Sequence, residues 1–387
     1  MFMFIAVEVH RKIGRFQQLF SLGSYRANKL SLIMFQNINW SELFPTKLSA
    51  IIFVSYMVLF INQGIFVTAS QSSNSAYSYN TVIVVLLTEV VKLLISVVLY
   101  CKDHSTSSLI KEMRLNVRIM ALYFVPAFLY CLYNNLAFVN LSAFDPTTYY
   151  LLLQFRVVVT GVVFQIIFKK KLSSKQWLSL IILTAGCMIK QIDFTDTDSA
   201  KISATLATPG SENGFHLSIN LVFIFIQTLC SCFAGVYNEY LLKGDGAGVN
   251  MYVQNIFMYM DSILCNAGIL FCQGNLKDAY TRDSLASIFQ FKVIIIMFNN
   301  AAIGIITSFF LKNLNSILKT FASALELMFT ALLCWVLFGI PIYINTFLAI
   351  SIVSYAVLLY SQNPVVNEGK HIPEIEKYVS EKGTEEV

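Results

Sequence analysis

The chain has 387 residues, of which 56% are hydrophobic and only 13% charged, against roughly 25% charged in soluble domains. A soluble fold of this length could not hide so much apolar surface, whereas a lipid surround removes the need. The formal charge of +5 is small and collects in particular loops, which fits membrane orientation and excludes nucleic acid as the expected partner.

Residues 1–44 read as a cytosolic N-terminal segment. The apolar start MFMFIAV is too short for a signal peptide and precedes its basic residues instead of following them. Met34 opens a second start, MFQNINWSELFPTKL; residues 1–33 read as a gene-model extension or an amphipathic arm, the extension being slightly favoured. Spanning a bilayer takes about 20 apolar residues. Such stretches fall at 47–69, 80–101, 117–140, 145–168, 175–191, 217–241, 251–272, 292–312, 315–338 and 343–361. The expected architecture is therefore an all-α polytopic membrane protein of about ten transmembrane helices, with the membrane domain at 45–361.

Orientation follows from Lys and Arg in short loops. Lys102, Lys111, Arg114 and Arg118 follow the second stretch, and Lys169, Lys170, Lys171 and Lys175 follow the fourth. Arg11, Lys12, Arg15, Arg26, Lys29 and Lys47 sit near the N-terminus. Both termini are expected in the cytosol, with the polar loop 192–216 on the lumenal or outer side and the tail 362–387 disordered. Asn140-Leu-Ser142 is a glycosylation sequon on the lumenal side, close to the membrane. The cysteines form no CxxC pair and read as small buried hydrophobes. His10, His104, His216 and His371 lie outside the apolar stretches, so no metal site, cofactor or His relay is expected.

Residues 145–177 align without a gap to 315–347, placing Asp145 on Asn315, Tyr149 on Lys319 and Arg156 on Glu326. Five helices per half is an odd number, so two such repeats, about 45–191 and 217–361, would insert with opposite topology. Carriers use that symmetry to put a site near the bilayer midplane.

A charge at the middle of a transmembrane helix costs at least about 2.5–3.5 kcal/mol on insertion scales. The costly set here is Glu89, Lys92, Arg156, Asp261, Lys319 and Glu326. Glu89 and Lys92 are three apart and can pair; a structural ion pair is as good a reading of Glu89 as a functional one. Glu326 can neutralise a basic partner, and for Asp261 a packing hydrogen bond and a function are equally open. Arg156 and Lys319 have no acidic residue one turn away, and Lys312 adds a third cation at the cytosolic mouth. Fixed positive charge in a cavity invites an anion, phosphate above all. Tyr130, Tyr133, Asn134, Asn135, Tyr149, Tyr150, Gln154, Tyr237, Asn238 and Asn255 add amides and aromatics suited to a nucleoside.

The strings TEVVKLLIS (88–96), VPAFLYCLYNNLAFVNLSAFDPTTYYLLLQFR (125–156), LSSKQWLSLIILTAGCMI (172–189), CSCFAGVYNEYLLK (230–243), VQNIFMY (253–259) and TSFFLKNLNSILKTFASALE (307–326) carry a resemblance. In this order they resemble the nucleotide-sugar transporter family of the drug/metabolite transporter superfamily, over about 45–361. The resemblance implies a ten-helix Golgi carrier, with the endoplasmic reticulum as the alternative membrane. Such a carrier would import a UDP-sugar, most often UDP-galactose, into the lumen in exchange for UMP. It implies no enzyme activity. Its partners would be the nucleotide sugar, the nucleoside monophosphate and the bilayer, with oligomers of itself or of other sugar-nucleotide carriers also open.

By motif, the resemblance gives Tyr130 and Asn134 to the nucleoside, Tyr149 to the pocket wall, and Arg156 and Lys319 to phosphate. Lys92 falls near the same site, and Ser231, Asn255, Thr307 and Ser308 match cavity-lining positions. Arg156 stands where many relatives have Lys, keeping the charge but changing its geometry. The rival readings are a carrier of a CMP- or CDP-linked sugar, a carrier of sugar phosphates, and a non-transporting scaffold or regulator of other sugar-nucleotide carriers. A membrane transferase would need an acidic or His cluster at a loop, and none is present in the sequence.

Overall fold

A computed structural model describes residues 40–70, 81–143, 149, 152–191, 219–272, 290–338 and 344–365. Among the described residues there are twelve helices and no strand. In chain order they are α1 (Trp40–Leu43), α2 (Lys47–Ser70), α3 (Thr81–Asp103), α4 (Thr106–Leu115), α5 (Val117–Ala143) and α6 (Arg156–Phe168). They continue as α7 (Ser174–Gln191), α8 (Ile219–Lys243), α9 (Met251–Cys272), α10 (Phe291–Asn313), α11 (Ser316–Phe338) and α12 (Ile344–Ser361). All but α1 and α4 fall on the apolar stretches read from the sequence. Residues 1–33, the loop 192–216 and most of the tail lie outside the described residues.

Among the described residues, six helices are long and apolar enough to cross a membrane: α3, α5, α8, α10, α11 and α12. Shorter apolar runs occupy Lys47–Gln63 of α2, α6, and Ser174–Ile189 of α7. α9 carries Gln254, Asn255, Asp261 and Asn266 within its span. The first three of those are buried, so the helix turns its polar residues inward. The same inversion holds generally. Val98 is 66% exposed, Ile166 68% and Leu264 64%, while Glu239, Gln227, Gln254 and Asn140 are fully buried. Apolar outside and polar inside is the distribution lipid demands, since hydrocarbon offers polar groups no partner. The protein is a multi-pass membrane protein.

Two features depart from the expected elements. The basic connection after α3 is itself partly helical: Ser105 caps α4 by accepting from Ser108 N. Glu112 of α4 accepts from Tyr100 OH (2.7 Å) and from Asn250 N (2.9 Å), pinning α4 to α3 and to the α8–α9 connection. The stretch expected as one helix at 145–168 is instead interrupted. Phe155 N and Val157 N bond back three residues, to Leu152 O and Gln154 O. α6 therefore begins only at Arg156. No Gly or Pro marks that break, so residue pattern alone could not reveal it.

Among the described residues, the two largest of five apolar clusters hold most of the bundle. One joins α2, α6, α7 and α8 to α10, α11 and α12, with Phe164, Phe310 and Phe321 fully buried and Tyr360 stacked on Phe321 at 4.3 Å. The other joins α3, α4, α5 and α9 through Tyr100, Tyr123 and Phe257. The packing partners recur in pairs. α5 lies against α8 and α9, and α10 against α2 and α3; α6 lies against α7 and α8, and α11 against α12 and α2. α3 also packs on α9 and α7 on α12, with lesser contacts of α8 on α10 and α6 on α11.

Asn140 is fully buried and donates to Gln227 Oε1 at 2.7 Å, so its sequon is inaccessible. Glycosidase treatment of protein expressed in animal cells should leave Asn140-containing peptides unchanged in mass. α7 meets α12 at Gly186, where an added Cβ would lie 3.0 Å from Ile352 Cγ2 and Val353 Cγ2. Gly186→Leu should overpack this contact and destabilise the bundle by about 1–3 kcal/mol, seen as a lower thermal midpoint in detergent. Wild-type stability would refute the close approach.

Candidate functional site

Helical spacing sets polar residues on one face of each inner helix. On α11 the face is Ser316, Lys319, Thr320 and Ser323; on α10 it is Asn300, Gly304, Thr307 and Ser308; on α8 it is Ser231, Cys232, Gly235 and Asn238. These faces enclose two cavities that share Lys319.

The larger cavity, about 270 Å³, is lined by Glu89, Lys92, Tyr130, Cys131, Asn134, Asn238, Met258, Tyr259, Ser262, Asn266, Asn300, Ile303, Gly304, Thr307, Ser308 and Lys319. The smaller, about 110 Å³, is lined by Gln154, Arg156, Val157, Thr160, Cys187, Ser231, Cys232, Gly235, Val236, Ser316, Lys319, Thr320, Ser323, Ala324 and Leu327.

The cations differ in how they are held. Lys92 Nζ lies 2.7 Å from Glu89 Oε1 and 5.4 Å from the centroid of the Tyr259 ring. Both are favourable for an ammonium. Gly304 makes room for this arrangement, because a Cβ there would come within 2.8 Å of Lys92 Cδ and Cε. Arg156 and Lys319, by contrast, have no salt-bridge partner among the described residues. They are near enough for their charges to act on each other, and Glu239 is near enough to act on Lys319. Two like charges in a low-dielectric interior repel strongly unless an anion joins them.

A buried clamp positions Lys319. Glu239, fully buried, takes Lys243 Nζ at 2.8 Å on one oxygen and the backbone N–H of Ser316 at 2.7 Å on the other. The carboxylate thus sits at the positive N-terminus of α11, where a negative charge is stabilising. Lys243 also donates to Leu314 O. Asn315 accepts from Leu318 N (2.7 Å) and donates to Val365 O (2.8 Å). The α10–α11 turn, one helical turn before Lys319, is thereby held from three sides.

The structure brings Lys92, Tyr130, Asn134, Arg156, Ser231, Thr307, Ser308 and Lys319 to the cavity walls, with Glu89 beside Lys92. It does not bring Tyr149 there. That phenol accepts from Gln227 Nε2 at 2.9 Å, and Gln227 accepts from Asn140, a network joining α5 and α8. Asn255 is buried away from both cavities, its amide nitrogen unbonded among the described residues. Asp261 is 8% exposed, with Oδ2 likewise unbonded and outside the cavity walls. Glu326 is half-buried and lines neither cavity; its charge acts on Tyr56. Lys312, expected to add charge to the site, is exposed at the end of α10. Tyr150 lies outside the described residues.

The sequence reading missed Ser262, Asn266, Asn300, Thr160, Thr320 and Ser323, all wall residues. Helical periodicity was the available signal: 262 and 266, and 316, 319, 320 and 323, each share one face.

Residues 45–361 match the family model described as nucleotide-sugar transporter. The UDP-galactose transporter senju of Drosophila melanogaster is 62% identical over 355 residues, covering 87% of this chain and 92% of that protein. The chain belongs to the nucleotide-sugar transporter family. It is a transporter rather than an enzyme, and its substrates are nucleotide sugars. CMP-sialic acid transporter 1 of Oryza sativa subsp. japonica is 29% identical, covering 78% of this chain and 91% of that one. One crystal structure of a protein shares the fold at a TM-score of 0.52 with 12% identity, covering 82% of this chain and 97% of that one.

Lys243→Met should leave the Glu239 carboxylate buried beside the α11 N-terminus without its cation. Removing one partner of a buried pair costs about 3–5 kcal/mol, so the thermal midpoint should fall clearly. The Glu239→Gln, Lys243→Met double variant should recover part of it, and full additivity of the two losses would argue against the clamp.

Proposed function

We propose that this protein imports a UDP-sugar, UDP-galactose foremost, into the Golgi lumen in exchange for UMP. The observation that carries this reading is the pair Arg156 and Lys319, cations with no salt-bridge partner among the described residues, on the wall of one cavity. Arg supplies a bidentate fork and Lys a point charge, which together suit a diphosphate. Tyr130 and Asn134 would hold the nucleoside, and Ser231, Thr307 and Ser308 would add hydrogen bonds around it. Lys92, neutralised by Glu89, would act as a hydrogen-bond donor at the nucleoside end rather than as net charge. The relative senju supports the choice of UDP-galactose by its name and its identity. Relatives named CMP-sialic acid transporters make the CMP-linked sugars the second reading.

The reading includes a ten-helix architecture of two inverted five-helix halves. Its support is the recurrence of packing partners: exchanging α2, α3, α5, α6 and α7 for α8, α9, α10, α11 and α12 maps the most extensive contacts onto one another or onto themselves, the α8–α10 contact being an exception. The site then lies between the halves, where rocking exposes it to each side in turn. Basic loops after α3 and α6 support cytosolic termini.

Exchange follows from charge. A nucleotide sugar carries two negative charges, and a nucleoside monophosphate nearly two, since its second phosphate pKa is about 6. One-for-one exchange is close to electroneutral. An empty site would leave Arg156 and Lys319 uncompensated in low dielectric during the crossing, which disfavours net uniport.

Arg156→Ala and Lys319→Ala should each lower UDP-galactose uptake into UMP-preloaded proteoliposomes at least about thirtyfold, as expected for removing a buried charge partner, with expression retained. Near wild-type uptake in both would remove the phosphate-site assignment. Competition by UMP, CMP and GMP decides the base.

A further inference from the structure

We infer that the smaller cavity is the hexosyl pocket of this carrier, and that the Thr320 hydroxyl oxygen accepts a hydrogen bond from a sugar hydroxyl there. The inference rests on the nucleotide-sugar reading above and adds to it an end-to-end orientation of the substrate and a specificity residue.

The two cavities are chemically unlike. The larger carries the Tyr130 and Tyr259 rings and the Asn134 and Asn238 amides. A nucleobase uses both kinds of group, stacking its face on aromatics and bonding its edge to amides. Among the described residues the smaller cavity has no aromatic side chain in its wall, and it is less than half the size. A base would lose its stacking partner there, so the nucleoside belongs in the larger cavity. Lys319, common to both, marks where the phosphates cross from one to the other, with Arg156 just inside the smaller. Whatever follows the second phosphate then occupies the smaller cavity. In a nucleotide sugar that group is the hexosyl ring.

Hydrogen-bond polarity agrees. Thr320 Oγ1 donates its proton to Ile317 O at 2.7 Å, and Thr160 Oγ1 donates to Arg156 O at 2.7 Å. A hydroxyl that has spent its proton on the backbone offers only lone pairs to a ligand. Phosphate oxygens are acceptors too and gain nothing from these two hydroxyls. Sugar hydroxyls are donors as well as acceptors and fit it. Val157, Ala324 and Leu327 complete the wall with apolar surface for the C–H face of the ring. Ser323 lies 3.4 Å from the buried Tyr56 hydroxyl, which ties this part of α11 to α2.

The test measures competition against labelled UMP counterflow in proteoliposomes for wild type, Thr320→Val and Thr320→Ser. UDP, which has both phosphates and no sugar, is the control. Losing one neutral hydrogen bond corresponds to roughly a two- to tenfold weakening. Thr320→Val should raise the half-inhibiting concentration of UDP-galactose by that factor relative to UDP, and Thr320→Ser, which keeps the oxygen, should restore the ratio. Equal weakening of UDP and UDP-galactose would place the hydroxyl at the nucleotide half and overturn the assignment, as would an unchanged ratio in Thr320→Val. Absence of any UMP counterflow in folded wild-type protein would instead sink the carrier reading, and the pocket with it.

Discussion

A bilayer core gives a charged group nothing to bond to, so every charge kept in this helical bundle must turn inward and find a partner or lack one. That constraint orders the molecule. Glu239 is fully buried and saturated by Lys243 and by the first N–H of α11. Lys92 is satisfied by Glu89 and the Tyr259 ring. Arg156 and Lys319 alone among the inward-facing cations described have no salt-bridge partner among the described residues. Two buried like charges favour an added negative charge between them, which is the basis of the phosphate site proposed above.

The same residue types do different work according to whether their bonds close on the protein. The Asn140–Gln227–Tyr149 chain bonds α5 to α8 and lines neither cavity. Tyr123 donates to Gln254 at 2.7 Å, and Gln254 donates onward to Gly246 O and Val249 O, fixing the α8–α9 connection. The cavity-wall threonines are half committed, their protons spent on the helix and their lone pairs open. A polar group inside the bundle is therefore assigned to structure or to substrate by its bonding, not by its identity.

One end of the bundle is held by many such bonds. Glu112 reaches Asn250, Glu239 reaches Ser316, Asn315 reaches Val365, and Gln176 Nε2 reaches Asn363 O at 2.9 Å. These ties join connections that carry the basic residues. Glu239 links them to the helix that carries Lys319.

Membrane class and the positions of the long helices were legible in the sequence, because a lipid surround imposes apolar runs of fixed length whatever the tertiary packing. So were Arg156, Lys319, Lys92 and Glu89, since a charge in such a run is too costly to be incidental. The break before Arg156 was not, because its tight turns use no Gly or Pro. Nor was α4, hidden in a loop that its basic residues mark more strongly than its cap does. Tyr149 and Asn255 shared residue type and family motif with true wall residues, yet the structure packs them elsewhere. Sequence alone determined that charge must be buried and that it must face inward. Only tertiary structure decided which charges meet partners, because that depends on helix rotation and on neighbours far apart in the chain, such as Glu239 and Ser316.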